Sequence, residues 1–177
     1  MNLKPAPVTA EATPPIISIK TLTSFEKGNA FESFVLKLFN QKSGRFIPVR
    51  HDSESATTFG KIAAKTTYPD LKFLFSTRGK KYKFAVECKW KKGFINGKIH
   101  WAEPHQLKNY LQFQKQWNTT LFVAIGIGGE PSNPSLLFVT PLNVLAQKTE
   151  VAEEDLLVYS RPKSRGFFFD AKQLKLF

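Results

Sequence analysis

Two carboxylates and an ammonium group fall within one short basic stretch, residues 68–90, which reads YPDLKFLFSTRGKKYKFAVECKW. Asp70 precedes one run of alternating apolar and polar residues, and Glu87 and Lys89 end a second run. This alternation predicts two half-buried strands. Gly79, between them, predicts a type II′ hairpin turn with glycine at its first central position. That turn places Asp70 opposite Lys89, so the three charged side chains share one face, about 5–8 Å apart.

Such an arrangement suits a hard divalent cation and the water beside it. Mg²⁺ takes oxygen ligands, usually one or two carboxylates with waters and substrate phosphate oxygens. Asp70 and Glu87 supply carboxylates, and the backbone carbonyl of Cys88 lies between them along the strand edge. A bound metal activates its water and stabilises charge on a phosphate, and Lys89 can orient that water or neutralise the transition state. The residues therefore predict metal-assisted phosphodiester hydrolysis with Mg²⁺, for which Mn²⁺ should substitute.

Pro69-Asp70, a hairpin and then Glu87-Cys88-Lys89 resemble the signature of the PD-(D/E)XK nucleases, the restriction-endonuclease-like superfamily. Because this motif is short and degenerate, a Glu-x-Lys on a strand also fits a merely solvated face. The resemblance implies that Asp70, Glu87 and the Cys88 carbonyl bind the metal and that Lys89 is the catalytic lysine.

A first helix is predicted by apolar residues such as Phe31, Val35 and Leu38, which recur at helical spacing. It should run from about residue 25 to residue 40, with Thr23 or Ser24 as the N-cap. The stretch KGNAFESFVLKLF resembles the first helix of the Mrr and archaeal junction-resolvase branch of the superfamily. That resemblance implies that Glu32 brings a further carboxylate to the metal. The equally weighted alternative is a solvated flank of a core helix.

A second helix should begin at Glu103-Pro104, where proline is tolerated in the first turn, and end near residues 117–118. In the junction-resolvase branch a glutamine near this place faces the active site. The resemblance therefore makes Gln106 a further candidate catalytic residue, with a solvent-facing glutamine as the alternative.

The charge balance favours a polyanionic partner, because 26 Lys and Arg against 14 Asp and Glu give a net charge of +12. A charge that only keeps the protein soluble is the alternative. Basic residues on turn-rich segments near the motif are the candidates for phosphate contacts. They are Lys91, Lys92, Lys98, Arg45, Lys61 and Lys65.

The chain of 177 residues fits one domain. We expect a flexible proline-rich arm over residues 1–20 and a single nuclease-like domain over residues 21–177. One cysteine suits a reducing compartment, and neither a signal peptide nor a membrane-spanning run is evident, so a cytoplasmic location is expected. The predicted partner is DNA. No separate recognition domain is evident, which leaves specificity to loops, a homodimer or a partner chain.

The order of elements predicts an α/β fold, in which a mixed central sheet of restriction-endonuclease-like type is flanked by helices. Leu121–Ile127 should be a strand buried on both faces, and residues 156–159 and 167–169 should be late strands. The function predicted from all these features is that of a metal-dependent endonuclease acting on DNA. The alternatives are a non-catalytic nucleic-acid-binding module that keeps the nuclease fold and an RNA-directed nuclease.

Overall fold

The computed structural model describes residues 21–39, 45–48 and 69–177, so the predicted arm over residues 1–20 lies outside the described residues. The helices and strands are, in chain order, α1 (Ser24–Leu38), β1 (Phe46–Pro48), β2 (Leu71–Thr77), β3 (Lys80–Lys91), β4 (Lys98–His100), α2 (Pro104–Trp117), β5 (Thr120–Ile127), β6 (Leu136–Pro141), α3 (Leu142–Leu145), β7 (Glu150–Ala152), α4 (Glu153–Leu157), β8 (Phe169–Asp170) and β9 (Lys175–Leu176).

A five-stranded mixed sheet in the order β1-β2-β3-β5-β6 forms the centre of the protein. Strands β3 and β5 are parallel, and the other neighbours are antiparallel. The crossover from β3 to its parallel neighbour passes through α2, which is the connection that a parallel pair requires. The predicted α/β class with a mixed sheet flanked by helices is confirmed.

The two faces of the sheet carry separate apolar cores. Helix α1 covers one face with the buried side chains of Phe31, Val35 and Leu38. Helix α2 covers the other face, where Tyr110 and Phe113 pack with residues of β5. Because side chains alternate along a strand, Phe84 and Val86 of β3 join the first core, whereas Ala85 joins the second. Odd-numbered residues of β3 therefore face α2.

Both long helices begin as predicted. Thr23 caps α1 and forms a reciprocal capping box with Glu26. Glu103 precedes α2, whose first residue is a proline, and the helix ends at Trp117. Asn118 then adopts the left-handed conformation, with φ of 44°, that commonly terminates helices.

The hairpin turn differs from the predicted one. Its central residues are Arg78 and Gly79, with φ of 47° and 73°, which is the pattern of a type I′ turn. The strand register consequently pairs Leu71 with Val86, and Asp70 then comes level with Glu87 instead of Lys89. A shift of two residues leaves every side chain on its predicted face, because the strand period is two.

The segment after β7 was predicted wrongly. Residues 153–157 form α4, although residues 156–159 were expected to be a strand. The acidic residues Glu153, Glu154 and Asp155 occupy the first turn of this helix, where negative charge interacts favourably with the helix dipole. The other late strand is present but displaced by two residues, since β8 spans Phe169–Asp170.

A glycine in β5 lets α1 pack close to the sheet. A Cβ at Gly126 of β5 would lie only 2.4 Å from the ring of Phe31, so the missing side chain lets α1 approach the sheet.

At the outer edge of β6, Val139 N–H donates to the Tyr159 carbonyl at 2.9 Å. Arg161 N–H donates to the Leu137 carbonyl at 2.8 Å, so the chain after α4 runs along that edge.

Candidate active site

Glu87 lies at the centre of the candidate site, on the face of β3 that α2 covers. Its side chain is only 3% exposed. Lys89 Nζ lies 2.7 Å from Glu87 Oε1, and the Tyr110 hydroxyl donates to the same oxygen at 2.6 Å. The other oxygen, Oε2, is buried and accepts no hydrogen bond from any described residue. The carboxylate is therefore held by one oxygen and keeps the other available.

Asp70 lies beside Glu87, immediately before β2. Its Oδ2 accepts a hydrogen bond from the backbone N–H of Cys88 at 2.8 Å, which ties the aspartate to β3. Burial, followed by the negative charges of Glu87 and Glu32, raises the pKa of Asp70 to about 8. The Cys88 N–H and Lys89 oppose that rise without cancelling it. This crowding of buried carboxylates is the electrostatic environment that a cation would relieve.

Glu32 reaches this neighbourhood from the opposite layer, because α1 packs against β3. Its charge raises the pKa of both Asp70 and the Cys88 thiol. For Cys88 the larger cause is burial, since its side chain packs against the core beneath α1. Asp70, Glu87 and Lys89 thus lie together, and the charge of Glu32 acts on them from α1.

The donor set fits a hard divalent cation. Within residues 21–39, 45–48 and 69–177, no three His, Cys, Asp or Glu side chains form a ready-made metal cage. Mg²⁺ needs only one or two carboxylates, because waters and substrate oxygens complete its coordination. The buried Oε2 of Glu87 and the neighbouring carboxylate of Asp70 are oxygen donors of the kind that such a cation takes.

Tyr110 is the site residue that sequence reasoning missed. Its spacing from Leu107 assigns it to the inner face of α2, which suggested a core residue only. A buried tyrosine hydroxyl needs a polar partner, and the acids of β3 are the groups that this face of the helix meets. Burial and the charge of Glu87 raise the pKa of Tyr110, so its hydroxyl keeps its proton and acts as a donor. Lys89 Nζ also lies 5.7 Å from the centre of its ring.

Gln106 has a defined structural task at the start of α2. Its amide oxygen accepts the backbone N–H of Glu103 at 3.1 Å, which completes the capping box of this helix. Its contact with the active site remains a prediction.

The predicted phosphate-binding residues have different positions. Lys91 is half-buried, and burial followed by the charge of Lys89 lowers its pKa. It lines a recess of about 460 Å³ together with Lys98. Lys92, Lys98 and Arg45 are exposed. The remaining two candidates, Lys61 and Lys65, lie outside the described residues.

Comparison with solved structures found 11 similar chains, whereas comparison of the sequence found none. No family model matches the sequence, and no curated protein matches it. The Holliday junction resolvase Hjc of Archaeoglobus fulgidus superimposes with a TM-score of 0.48 and 13% sequence identity, over 74% of this chain and 93% of the resolvase. Within the described part of the chain, no helix is long and apolar enough to cross a membrane.

Proposed function

We propose that this protein is a metal-dependent endonuclease that hydrolyses DNA phosphodiester bonds. The observation that carries the proposal is the carboxylate of Glu87. One of its oxygens is fixed by Lys89 and Tyr110, and the other is buried without a partner beside Asp70. The resemblance of these residues to the PD-(D/E)XK signature and the net charge of +12 support the same function.

Asp70 and Glu87 would hold the metal, with Glu32 and the Cys88 carbonyl as further ligands. When bound, Mg²⁺ or Mn²⁺ supplies an activated water and charge stabilisation at the phosphate. Tyr110 and Lys89 fix the orientation of Glu87. Lys89 would also supply an ammonium to the negative charge that develops on the reacting phosphate, a role whose loss typically costs at least a hundredfold in rate.

The test is cleavage of linear, nicked and four-way-junction DNA, and of RNA of the same sequence, with Mg²⁺ and with Mn²⁺. We expect the wild type to cut DNA, and Lys89→Ala and Asp70→Asn to cut at least a hundredfold more slowly, about 3 kcal/mol in the barrier. Binding of DNA in Ca²⁺ should survive in both variants. Asp155→Asn is the matched control for Asp70→Asn, since it removes the same charge from an exposed pair with Lys148.

The fold of each variant is checked by thermal unfolding. At neutral pH, Asp70→Asn should melt at a higher temperature than the metal-free wild type. Burial raises the pKa of Asp70 to about 8, so folding of the wild type must protonate a carboxyl that is ionised in the unfolded chain, a cost that grows as pH rises and that the variant avoids. Loss of cleavage together with a gain in stability would separate catalysis from folding. A wild type that binds DNA and cuts nothing with any metal would establish the non-catalytic module instead. Cleavage of RNA without cleavage of DNA would show that the substrate is RNA.

DNA is the proposed partner, and a second copy or another chain is proposed to supply specificity. In the described part of the chain, basic loops lie near the site, and no helix is identified as a DNA-recognition helix. Phosphate contacts of this kind position a nucleic acid without selecting its sequence. Binding should accordingly weaken steeply as salt increases.

A further inference from the structure

A basic groove lies beside the hairpin turn and the C-terminal end of α2, away from Glu87. An open groove of about 1140 Å³ is formed where the hairpin, the end of α2 and the chain terminus meet. Four lysines line it, and no Asp or Glu is found among the described residues around it; the lysines are Lys81, Lys83, Lys115 and Lys175. Since none of these charges is assigned to the candidate active site, the groove requires an explanation of its own.

Trp117 gives the groove an aromatic surface. It is the last residue of α2 and remains 51% exposed. Phe113, one turn earlier, stacks against it with ring centroids 6.1 Å apart and planes inclined by 27°. One side of the indole is thus supported by a buried ring, while much of its surface stays open to solvent. Exposed aromatic rings among lysines are the pattern of proteins that bind unpaired nucleic acid by base stacking.

The groove and the candidate active site lie along the same two elements. Lys83 and Glu87 are both odd-numbered residues of β3 and are four residues apart, which is about 13 Å at the rise of a strand. Tyr110 and Trp117 are seven residues apart on α2, or about 10 Å at the rise of a helix. Both separations are short enough for a few nucleotides of one strand to span.

Resting on the proposed nuclease function, we propose that the groove binds a single-stranded nucleic acid segment that flanks the scissile bond. The lysines contact its phosphates and Trp117 stacks on an unpaired base a few nucleotides from the cleaved position. The substrate class would then be a duplex or junction with an adjacent unpaired strand. A fully paired duplex offers no base for stacking, because its bases are already stacked within the helix.

The test measures the affinity of the full-length protein for fluorescein-labelled duplexes that carry single-stranded tails of 0, 2, 4, 6 or 8 nucleotides of either polarity. Anisotropy is read in Ca²⁺, and no cleavage is needed. We expect the affinity to rise about tenfold once a tail of one polarity exceeds about four nucleotides. Trp117→Ala should abolish this gain and leave the blunt duplex unchanged. Phe168→Ala, which removes another exposed aromatic ring, should retain the gain.

The lysines are tested through the salt dependence of binding. Each phosphate contact to a single strand contributes about 0.7 to the slope of log K against log salt. Lys81→Ala with Lys83→Ala should therefore lower the slope for tailed DNA by about 1.4. Lys37→Ala, on the exposed side of α1, should lower it by less than 0.3.

Three results would overturn the proposal. The first is a tail that adds no affinity, and the second is an equal loss for blunt and tailed DNA in Trp117→Ala. The third is a change in oligomeric mass in Trp117→Ala, measured by light scattering, which would make the groove an interface between copies. Because affinity is measured without cleavage, an inactive wild type would refute the nuclease and leave this test intact. A failed tail effect would likewise leave cleavage of blunt DNA unaffected.

Discussion

Tyr110→Phe tests whether the geometry of Glu87 is what makes the site work. The change removes one hydroxyl and keeps the ring that packs in the core beneath α2. The lost hydrogen bond is 2.6 Å long and ends on a carboxylate that is 3% exposed. Lys89 stays on the same oxygen at 2.7 Å, so the carboxylate keeps one of its two donors.

Hydrogen bonds to charged groups are typically worth about 1.5–3 kcal/mol. Because Lys89 still compensates part of the charge, we expect a loss of about 2 kcal/mol in the free energy of unfolding. For a chain of this length that corresponds to a fall in melting temperature of about 4–8 °C. Loss of an orienting partner behind a metal ligand typically weakens metal binding about 10- to 100-fold. The Mg²⁺ concentration for half-maximal stabilisation should rise by that factor.

The assay is urea unfolding in EDTA, followed by thermal unfolding over a Mg²⁺ series. Tyr159→Phe is the matched control, since only backbone hydrogen bonds of Tyr159 are found among the described residues. It should change neither stability nor the magnesium midpoint. If Tyr110→Phe unfolds within about 0.5 kcal/mol of the wild type and keeps the same midpoint, the hydroxyl does not orient Glu87 and the argument from its free oxygen fails.

Two further predictions concern the metal and the packing of α1. With a dissociation constant of order 1 mM, ~10 mM Mg²⁺ should stabilise the wild type by about 1.4 kcal/mol. Asp70→Asn should lose this gain. If adding Mg²⁺ to metal-free wild type leaves its melting temperature unchanged, the proposed metal site is wrong. Gly126→Ala should cost about 1–3 kcal/mol, because its Cβ meets the ring of Phe31 at 2.4 Å. Gly93→Ala, where a Cβ meets nothing within 4 Å, is the control, and equal unfolding energies for the two variants would show that α1 adjusts freely.

The faces of the hairpin were predictable, whereas its register was not. Alternation assigned Asp70, Glu87 and Lys89 to one face, and the structure keeps that grouping. The turn was predicted with Gly79 first, but Arg78 takes φ of 47° and makes Gly79 second. Non-glycine residues rarely adopt positive φ, so sequence rules disfavour this choice. Types I′ and II′ both match the twist of the strands that they join, so twist does not choose between them.

Tyr110 and Gly126 show what a single sequence leaves out. The helical period places Tyr110 on the buried face of α2, but the identity of its partner depends on how the helix lies over β3. Gly126 falls inside the predicted strand Leu121–Ile127, but a strand pattern does not show which helix side chain packs against it. Gly126 lies within β5 without the positive φ of Gly128 and Gly129, and it gives Phe31 its space. Both are tertiary contacts, which a local sequence pattern does not predict.

The covered outer edge of β6 limits how this protein can associate. An edge strand with open N–H and C=O groups invites strand addition by a peptide or by another copy. Along β6 the groups of Val139 and Leu137 are already bonded to Tyr159 and Arg161 of the same chain. A continuous sheet across two copies therefore cannot form at this edge unless that segment is first displaced. Any assembly that leaves the segment in place must use helix faces, loops or another edge. Dissociation of such an assembly would leave the pairing of β6 intact.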